Sequence, residues 1–209
     1  MSPRTVNPLT QDPPAPASDA PAQRADARRN RAKIVKAARA CLARDGLDAQ
    51  MDDIARRAKV GVGTVYRHFP TKDDLVVALC ADRFDRLAEL ARTALEDPDP
   101  WNGFCEFLRA SAEIQVADRA LSEVMLDRSD VMREHSERVG VLELVNELMK
   151  RAKKTGDLRK DAEPEDVPML ICALGGAAEM KMMNWERYLG IAIDGFRAPG
   201  CTRLPKRSG

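Results

Sequence analysis

The segment from Val60 to Phe69, VGVGTVYRHF, combines residue types that could do chemistry. It holds two glycines, a threonine, a tyrosine, an arginine and one of the two histidines among 209 residues. Glycines ahead of a threonine could cradle a phosphate, and Thr64 and His68, four residues apart on a helix, could pair as nucleophile and base. A short helix bearing these polar groups could instead contact a second macromolecule.

The sequence argues against both catalytic interpretations. The segment lacks the GxxxxGK[ST] spacing of a phosphate-binding loop, and no alternation of strands and helices surrounds it. No acidic residue is placed to orient His68 as a base that would activate the Thr64 hydroxyl, and no oxyanion-hole motif is present. We therefore expect no catalytic residue and no enzymatic activity, which leaves a contact helix.

The cysteines and histidines do not form a metal-binding pattern. The five cysteines are scattered without a CxxC pair, and two histidines are too few for most zinc sites. We expect no metal, no cofactor and reduced thiols in a cytoplasm. An alternative function remains in which Cys80 or Cys105 senses oxidants and provides the regulatory input.

The charge is distributed unevenly along the chain. Residues 22–72 hold 13 Lys or Arg and 5 Asp or Glu, a net charge of +8, whereas residues 73–209 carry a net charge of −6. A basic segment of this size is typical of a polyanion-binding region joined to a body with another task. The competing interpretation is that these charges only solvate helix faces.

The order of elements predicts an all-α protein. Six of thirteen prolines fall in the first 21 residues, so we expect a disordered tail over 1–23. Apolar residues then recur at helical spacing, without strand-like alternation, through a head at 24–72 and a body at 73–200, followed by a flexible tail at 201–209. The fourth helix is expected to begin at a capping box formed by Thr71 and Asp74. In the body we expect short elements around 119–127, a helix through Val139 and Met149, and a helix from Pro164. No run approaches the about 18 apolar residues of a membrane span, and the N-terminus lacks the apolar segment of a secretory signal.

Three short helices are predicted in the head, and the segment above forms the third. Val65 and Phe69 are expected to face inward at helical spacing, which leaves four polar residues on the outer arc: Thr64, Tyr66, Arg67 and His68. A helix of this size fits the major groove of DNA.

The run QMDDIARRAKVGVGTVYRHFPTKDDLVVAL, from Gln50 to Leu79, resembles the helix-turn-helix of TetR/AcrR-type transcriptional regulators. The typical pattern IAxxAGVSxGTxYxHFxxKxxL matches at many positions together, over roughly residues 28–80. Two departures are Gly61, in place of the usual serine cap, and Lys59, in place of the usual turn glycine. A positive φ at Lys59 would therefore carry some strain.

The resemblance implies a set of DNA-binding residues. Thr64, Tyr66, His68 and Lys72 are expected mostly at phosphates, and three arginines entering the first helix are expected at flanking phosphates or a minor groove. Val62, Gly63 and Arg67, also on the third helix, are expected nearer the base edges. The full set comprises Arg28, Arg29, Arg31, Val62, Gly63, Thr64, Tyr66, Arg67, His68 and Lys72.

The body resembles the SbtR-like C-terminal subgroup of the same family, in GDLRKDAEPEDVPMLICAL and NWERYLGIAIDGFRAPG. The resemblance implies a homodimer in which the last two helices of each subunit pair into a four-helix bundle. The apolar stripe from Trp185 to Phe196 is then the interface, with ordinary core as the alternative. The expected interface residues are Leu170, Leu174, Trp185, Tyr188, Leu189, Ala192, Ile193 and Phe196.

The body also has more apolar helical residues than a two-layer core obviously needs, which predicts a cavity for a small hydrophobic or amphipathic effector. Residues that could line it are Trp101, Phe104, Leu108, Met125, Met132, His135 and Leu174, each of which could equally be plain core. Together these expectations describe a ligand-responsive repressor that binds a pseudo-palindromic operator as a dimer.

Overall fold

The structure is a computed structural model that describes residues 20–118, 121, 129–179, 184–200 and 202–205. Within those ranges the regular structure is helical and no strand occurs, which confirms the all-α prediction; a single β-bridge joins Leu158 and Arg197. None of these helices is long and apolar enough to cross a membrane. The α-helices are α1 Ala20–Asp45, α2 Met51–Ala58, α3 Val62–His68, α4 Lys72–Leu95, α5 Pro100–Ala117, α6 Ser129–Val139, α7 Val141–Thr155, α8 Asp166–Glu179 and α9 Trp185–Phe196.

Helix α1 begins earlier than the sequence predicts. Residues 20–23, expected in the disordered tail, form its first turn and include Pro21. A proline is tolerated there because the amide it lacks has no partner within the helix. The rest of the predicted tail, residues 1–19, lies outside the described residues, and so do Cys201 and residues 206–209 of the C-terminal tail.

The turn between α2 and α3 contains the strained residue that the sequence predicts. Lys59 has φ 57° and ψ 43°, the left-handed conformation that favours glycine. Gly61 precedes α3 without a side-chain cap, and Gln50 precedes α2 without one. The Gln50 amide instead donates to the carbonyl of Asp48 at 2.7 Å.

Helix α4 connects two separate hydrophobic cores. It starts with the expected capping box, in which the Thr71 side chain accepts from the Asp74 amide and Asp74 accepts from the Thr71 amide. Its first turns supply Leu75 and Leu79 to the head core, whereas Ala91 belongs to the body core. The head and the body therefore share one continuous helix across the predicted boundary at residue 72.

The body core forms where α5, α7, α8 and α9 pack together around the C-terminal half of α4. Phe104 is fully buried, with its ring centroid 5.6 Å from that of Phe196 in an edge-on arrangement and 6.0 Å from that of Trp101. Helix α5 begins at Pro100. The Asp99 carboxylate caps this helix by accepting hydrogen bonds from the amides of Trp101 and Asn102. The DPDP segment thus ends one helix and begins the next.

Two predicted element bounds in the body are wrong. The sequence predicts one helix through Val139 and Met149, but Gly140 separates α6 from α7 with φ 72°, which ends a right-handed helix. The helix expected from Pro164 begins instead at Asp166. The short elements expected at 119–127 lie outside the described residues except at Leu121.

The left-handed Lys59 gives a stability prediction. Replacing Lys59 with glycine should raise the free energy of unfolding by about 0.5 to 1 kcal/mol, because relief of the left-handed strain exceeds the added freedom of the unfolded chain. Lys36→Gly, at an exposed position within α1, is the matched control and should lower it by about 1 kcal/mol. Urea unfolding of the parent and the two variants measures both effects. A lower free energy of unfolding in both variants would show that Lys59 is unstrained.

Candidate nucleic-acid interface

Helix α3 presents four neighbouring residues to solvent. Val65 and Phe69 are buried in the head core and fix the orientation of the helix. The opposite arc carries Val62, which is 42% exposed, and Tyr66, which is 49% exposed. Gly63 and Arg67 are also exposed on this arc. The arc therefore combines an apolar group, a hydroxyl and a guanidinium. At Gly63, which has no side chain, another molecule can approach the backbone closely.

Thr64 and His68 lie at the edge of this arc and are half-buried. Burial, followed by the charges of Arg67 and Arg31, lowers the pKa of His68 below its ordinary value. The lowered pKa favours the neutral imidazole, which can still donate one hydrogen bond through its protonated ring nitrogen. Its Nε2 atom is buried without a hydrogen-bond partner among the described residues.

The arginines of α1 have different environments. The guanidinium carbon of Arg31 lies 5.2 Å from the centroid of the Phe69 ring, a cation–π contact that places Arg31 beside the end of α3. Arg28 is exposed, and the exposed Arg29 forms an ion pair with Asp26. The sequence could not reveal the contact between Arg31 and Phe69, because helical periodicity does not show which side of α1 meets the third helix.

Lys72 holds the start of α4 against the turn that follows α1. Its ammonium donates a hydrogen bond to the carbonyl of Leu47, in the 3₁₀ turn Gly46–Asp48. An ammonium group has three donors, so this contact leaves others for a phosphate. Lys72 thus contributes to the shape of the head as well as to its charge.

The predicted dimer-interface residues divide between two faces of α8 and α9. Four of them are buried inside the protomer, as ordinary core residues would be: they are Leu174, Leu189, Ile193 and Phe196. Leu170, Trp185 and Ala192 are half-buried and Tyr188 is exposed. Among the described residues of these helices, the other large apolar side chains that are exposed are Met169, 73% exposed, and Ile191, 57% exposed.

The predicted effector-binding residues that the structure describes lie in two different parts of the body. Trp101, Phe104, Leu108 and Leu174 are buried in the body core. His135 lies on α6 with its Nε2 atom 3.3 Å from the Asp85 carboxylate. Met125 and the side chain of Met132 lie outside what the structure describes.

A groove of about 420 Å³ lies elsewhere in the body, between α5 and α9. Its apolar side is formed by Trp185, Leu189 and Ile193. The charged residues along it are Arg109, Glu113, Glu186 and Asp194. None of the seven residues that the sequence suggested as cavity lining contributes to this groove.

The two cysteines of the redox alternative are poor sensors. Cys80 and Cys105 are buried, and this burial raises the pKa of each thiol to about 11. At neutral pH almost no thiolate forms, and the thiolate is the species that reacts with oxidants. Among the described residues, no group of three or more His, Cys, Asp or Glu could hold a metal ion.

Comparison with known proteins assigns both parts of the chain. Residues 34–79 match the profile described as bacterial regulatory proteins, tetR family, and residues 99–198 match the SbtR-like C-terminal domain of transcriptional regulators. The transcriptional repressor KstR of Mycolicibacterium smegmatis is 40% identical over 73 residues, which are 34% of this chain and 36% of that protein. The chain therefore spans about a third of the length of the curated relatives it matches.

Two solved structures match along nearly the whole of their own chains. A TetR transcription regulatory protein from Mycobacterium vanbaalenii is 35% identical, with a TM-score of 0.67, over 84% of this chain and 99% of that one. A TetR transcriptional regulator from Streptomyces coelicolor is 25% identical, with a TM-score of 0.67, over 81% and 99% of the two chains. With the helix-turn-helix in α2 and α3 and the helical body behind it, the chain belongs to the TetR family of bacterial transcriptional regulators.

Proposed function

We propose that this protein is a sequence-specific repressor whose α3 enters the major groove of an operator. The observation that carries the proposal is the exposed arc of Val62, Gly63, Tyr66 and Arg67 on a helix fixed from behind by Val65. An arginine can donate two hydrogen bonds to guanine in the major groove, and an apolar side chain can contact the thymine methyl group. The KstR relatives are transcriptional repressors by name.

The charge of the head supports the same proposal. The net charge of +8 over residues 22–72 attracts phosphates whatever the base sequence, and Arg28 and Arg31 extend the basic surface along α1. Phosphate contacts position a protein on the duplex, and base contacts specify the sequence. Arg67 is thus assigned to operator choice, and the arginines of α1 are assigned to general affinity.

We also propose that two protomers pair through the outer side of α8 and α9. This side carries Met169, Tyr188 and Ile191, three large apolar groups that the protomer itself does not cover. A twofold pairing would place two copies of α3 on one operator, which accounts for a pseudo-palindromic site. The buried row of Leu189 and Ile193 holds each protomer together instead.

The effector proposal rests on the groove between α5 and α9. Its apolar side of Trp185, Leu189 and Ile193 together with its charged residues suits a small amphipathic molecule. The groove shares α9 with the proposed dimer face, so a ligand there can act on the arrangement of the two protomers. Such a ligand releases DNA only if it binds more tightly to the conformation that cannot bind the operator than to the conformation that can.

The first prediction of this proposal concerns operator choice. Arg67→Ala should weaken binding to the operator, defined by fragments retained from the source genome, by about 1 to 3 kcal/mol, the range for a good base contact. Binding to random DNA should change much less. Arg92→Ala, an exposed arginine of the body, is the control of equal charge and should bind both as the parent does. Fluorescence anisotropy measures all four affinities.

An equal loss on operator and random DNA would make Arg67 a phosphate contact. No loss on either DNA would remove α3 from the interface.

The second prediction concerns assembly. Ile191→Lys places a charge on the outer face of α9 and should convert the dimer to a monomer in sedimentation velocity, because an unpaired charge at an apolar interface is costly. Leu142→Lys is the matched control, since Leu142 is 39% exposed on α7, away from that face, and the variant should remain dimeric. A dimer that persists in Ile191→Lys would place the interface elsewhere.

The third prediction concerns the effector. Trp101→Phe leaves Trp185 as the only tryptophan, so its fluorescence should report small amphipathic molecules that enter the groove. For a true effector, operator DNA must weaken ligand binding by the same factor by which the ligand weakens DNA binding. A ligand that changes Trp185 fluorescence and binds equally well with and without operator would not be the inducer.

A further inference from the structure

Buried polar residues lie between the two hydrophobic cores. On α4 the head core ends at Cys80 and the body core begins at Ala91. Between these points lies Arg83, which is 4% exposed, and Asp118 lies opposite it at the end of α5 and is 5% exposed. Charged groups are rarely buried to this degree unless they are paired.

Asp118 joins three helices. One carboxylate oxygen accepts a hydrogen bond of 3.0 Å from Arg86 of α4, and the other lies 3.7 Å from Nε of Arg39 of α1. Arg39 also forms an ion pair with Asp82 of α4. Since α1 belongs to the head and α5 to the body, the pair of Arg39 and Asp118 bridges the two parts directly.

The chain after Asp118 strengthens this bridge. Leu121 donates its amide to the Asp118 carbonyl at 2.9 Å, and its side chain, 2% exposed, is buried in the head core. The end of α5 is thus attached to the head by an ion pair and by an apolar contact. Together with the continuous α4, these contacts hold the head to the body at two places.

A line of contacts leads from Asp118 towards α8. Arg83 donates a hydrogen bond to Gln115 of α5, one turn before Asp118. Gln115 in turn lies against Gly175 of α8, where a Cβ atom would overlap the Gln115 amide. Burial lowers the pKa of the Arg83 guanidinium, and Asp118 opposes this shift. These contacts connect the middle of α4 and the end of α5 with α8, which contributes Met169 to the proposed dimer face.

We propose that Asp118 is a positioning residue that fixes the angle of the head on the body and thereby sets the spacing of operator half-sites that the dimer accepts. A buried carboxylate tolerates the loss of an arginine partner poorly, so few head orientations satisfy both Arg39 and Arg86. Without these contacts α4 alone would join the head to the body, and the angle between them would be less constrained. This inference rests on the proposed function, since it needs a dimer on two half-sites.

The experiment compares operators with the natural spacer and with spacers longer or shorter by one base pair, which rotates one half-site by about 35°. The parent should prefer the natural spacer, and Asp118→Asn should reduce that preference by about fivefold or more, the lower end of coupling between sites. Glu106→Gln, which removes one charge from an exposed ion pair of α5, is the control and should keep the parent's preference.

A positioning role and a merely structural role give different results. A structural role would lower affinity for every operator in proportion to the unfolded fraction and leave the spacer preference unchanged, and that outcome would overturn the proposal. Arg39→Gln is the second variant and should flatten the preference as Asp118→Asn does. The double variant should add nothing, because both changes remove the same bridge.

A measurement without DNA separates this proposal from the proposed function. Spin labels at Arg57 of the head and Glu147 of the body, both exposed, report their distance within a protomer when labelled protein is diluted with unlabelled protein. All the labelled proteins also carry Cys172→Ser and Cys201→Ser, so that the label does not react at these two cysteines. The distance distribution should be narrow in the parent and broad in Asp118→Asn. Equal widths would overturn the positioning role even if the parent binds its operator as proposed.

Discussion

The continuity of α4 is the constraint on which the rest of the structure depends. One helix supplies Leu75 and Leu79 to the head core and Ala91 to the body core, so any displacement of its body half is carried into the head. The Thr71 capping box fixes where this helix begins. Because a helix is stiff over this length, the direction of α4 and the contacts around Asp118 together determine where the DNA-binding surface points.

Helix α3 depends entirely on that framework. A helix of seven residues is unstable by itself, since so few hydrogen bonds do not offset the cost of nucleation. It forms here because Val65 and Phe69 are buried against α1, α2 and α4, and because the turn at Lys59 accepts a left-handed backbone. The same burial leaves Val62, Tyr66 and Arg67 exposed, so the packing of two apolar residues selects which residues α3 presents to solvent.

Helix α9 of the body has apolar residues on two of its sides. Leu189, Ile193 and Phe196 close the protomer core, while Tyr188 and Ile191 remain exposed. Phe104 and Trp101 are packed against neighbouring rings and lie outside the groove that separates α9 from α5. Helix α9 therefore borders the core, the groove and the proposed partner face at once.

The sequence by itself determined the features that depend on residues close together in the chain. The cap at Thr71, the left-handed turn at Lys59 and the family motif all lie within one or two helical turns of the residues that define them. Only the tertiary structure decided which row of α9 is buried and that Arg39 meets Asp118. The physical reason is that hydrogen bonds in caps and turns join near neighbours, whereas burial and ion pairing between helices depend on how all the helices pack.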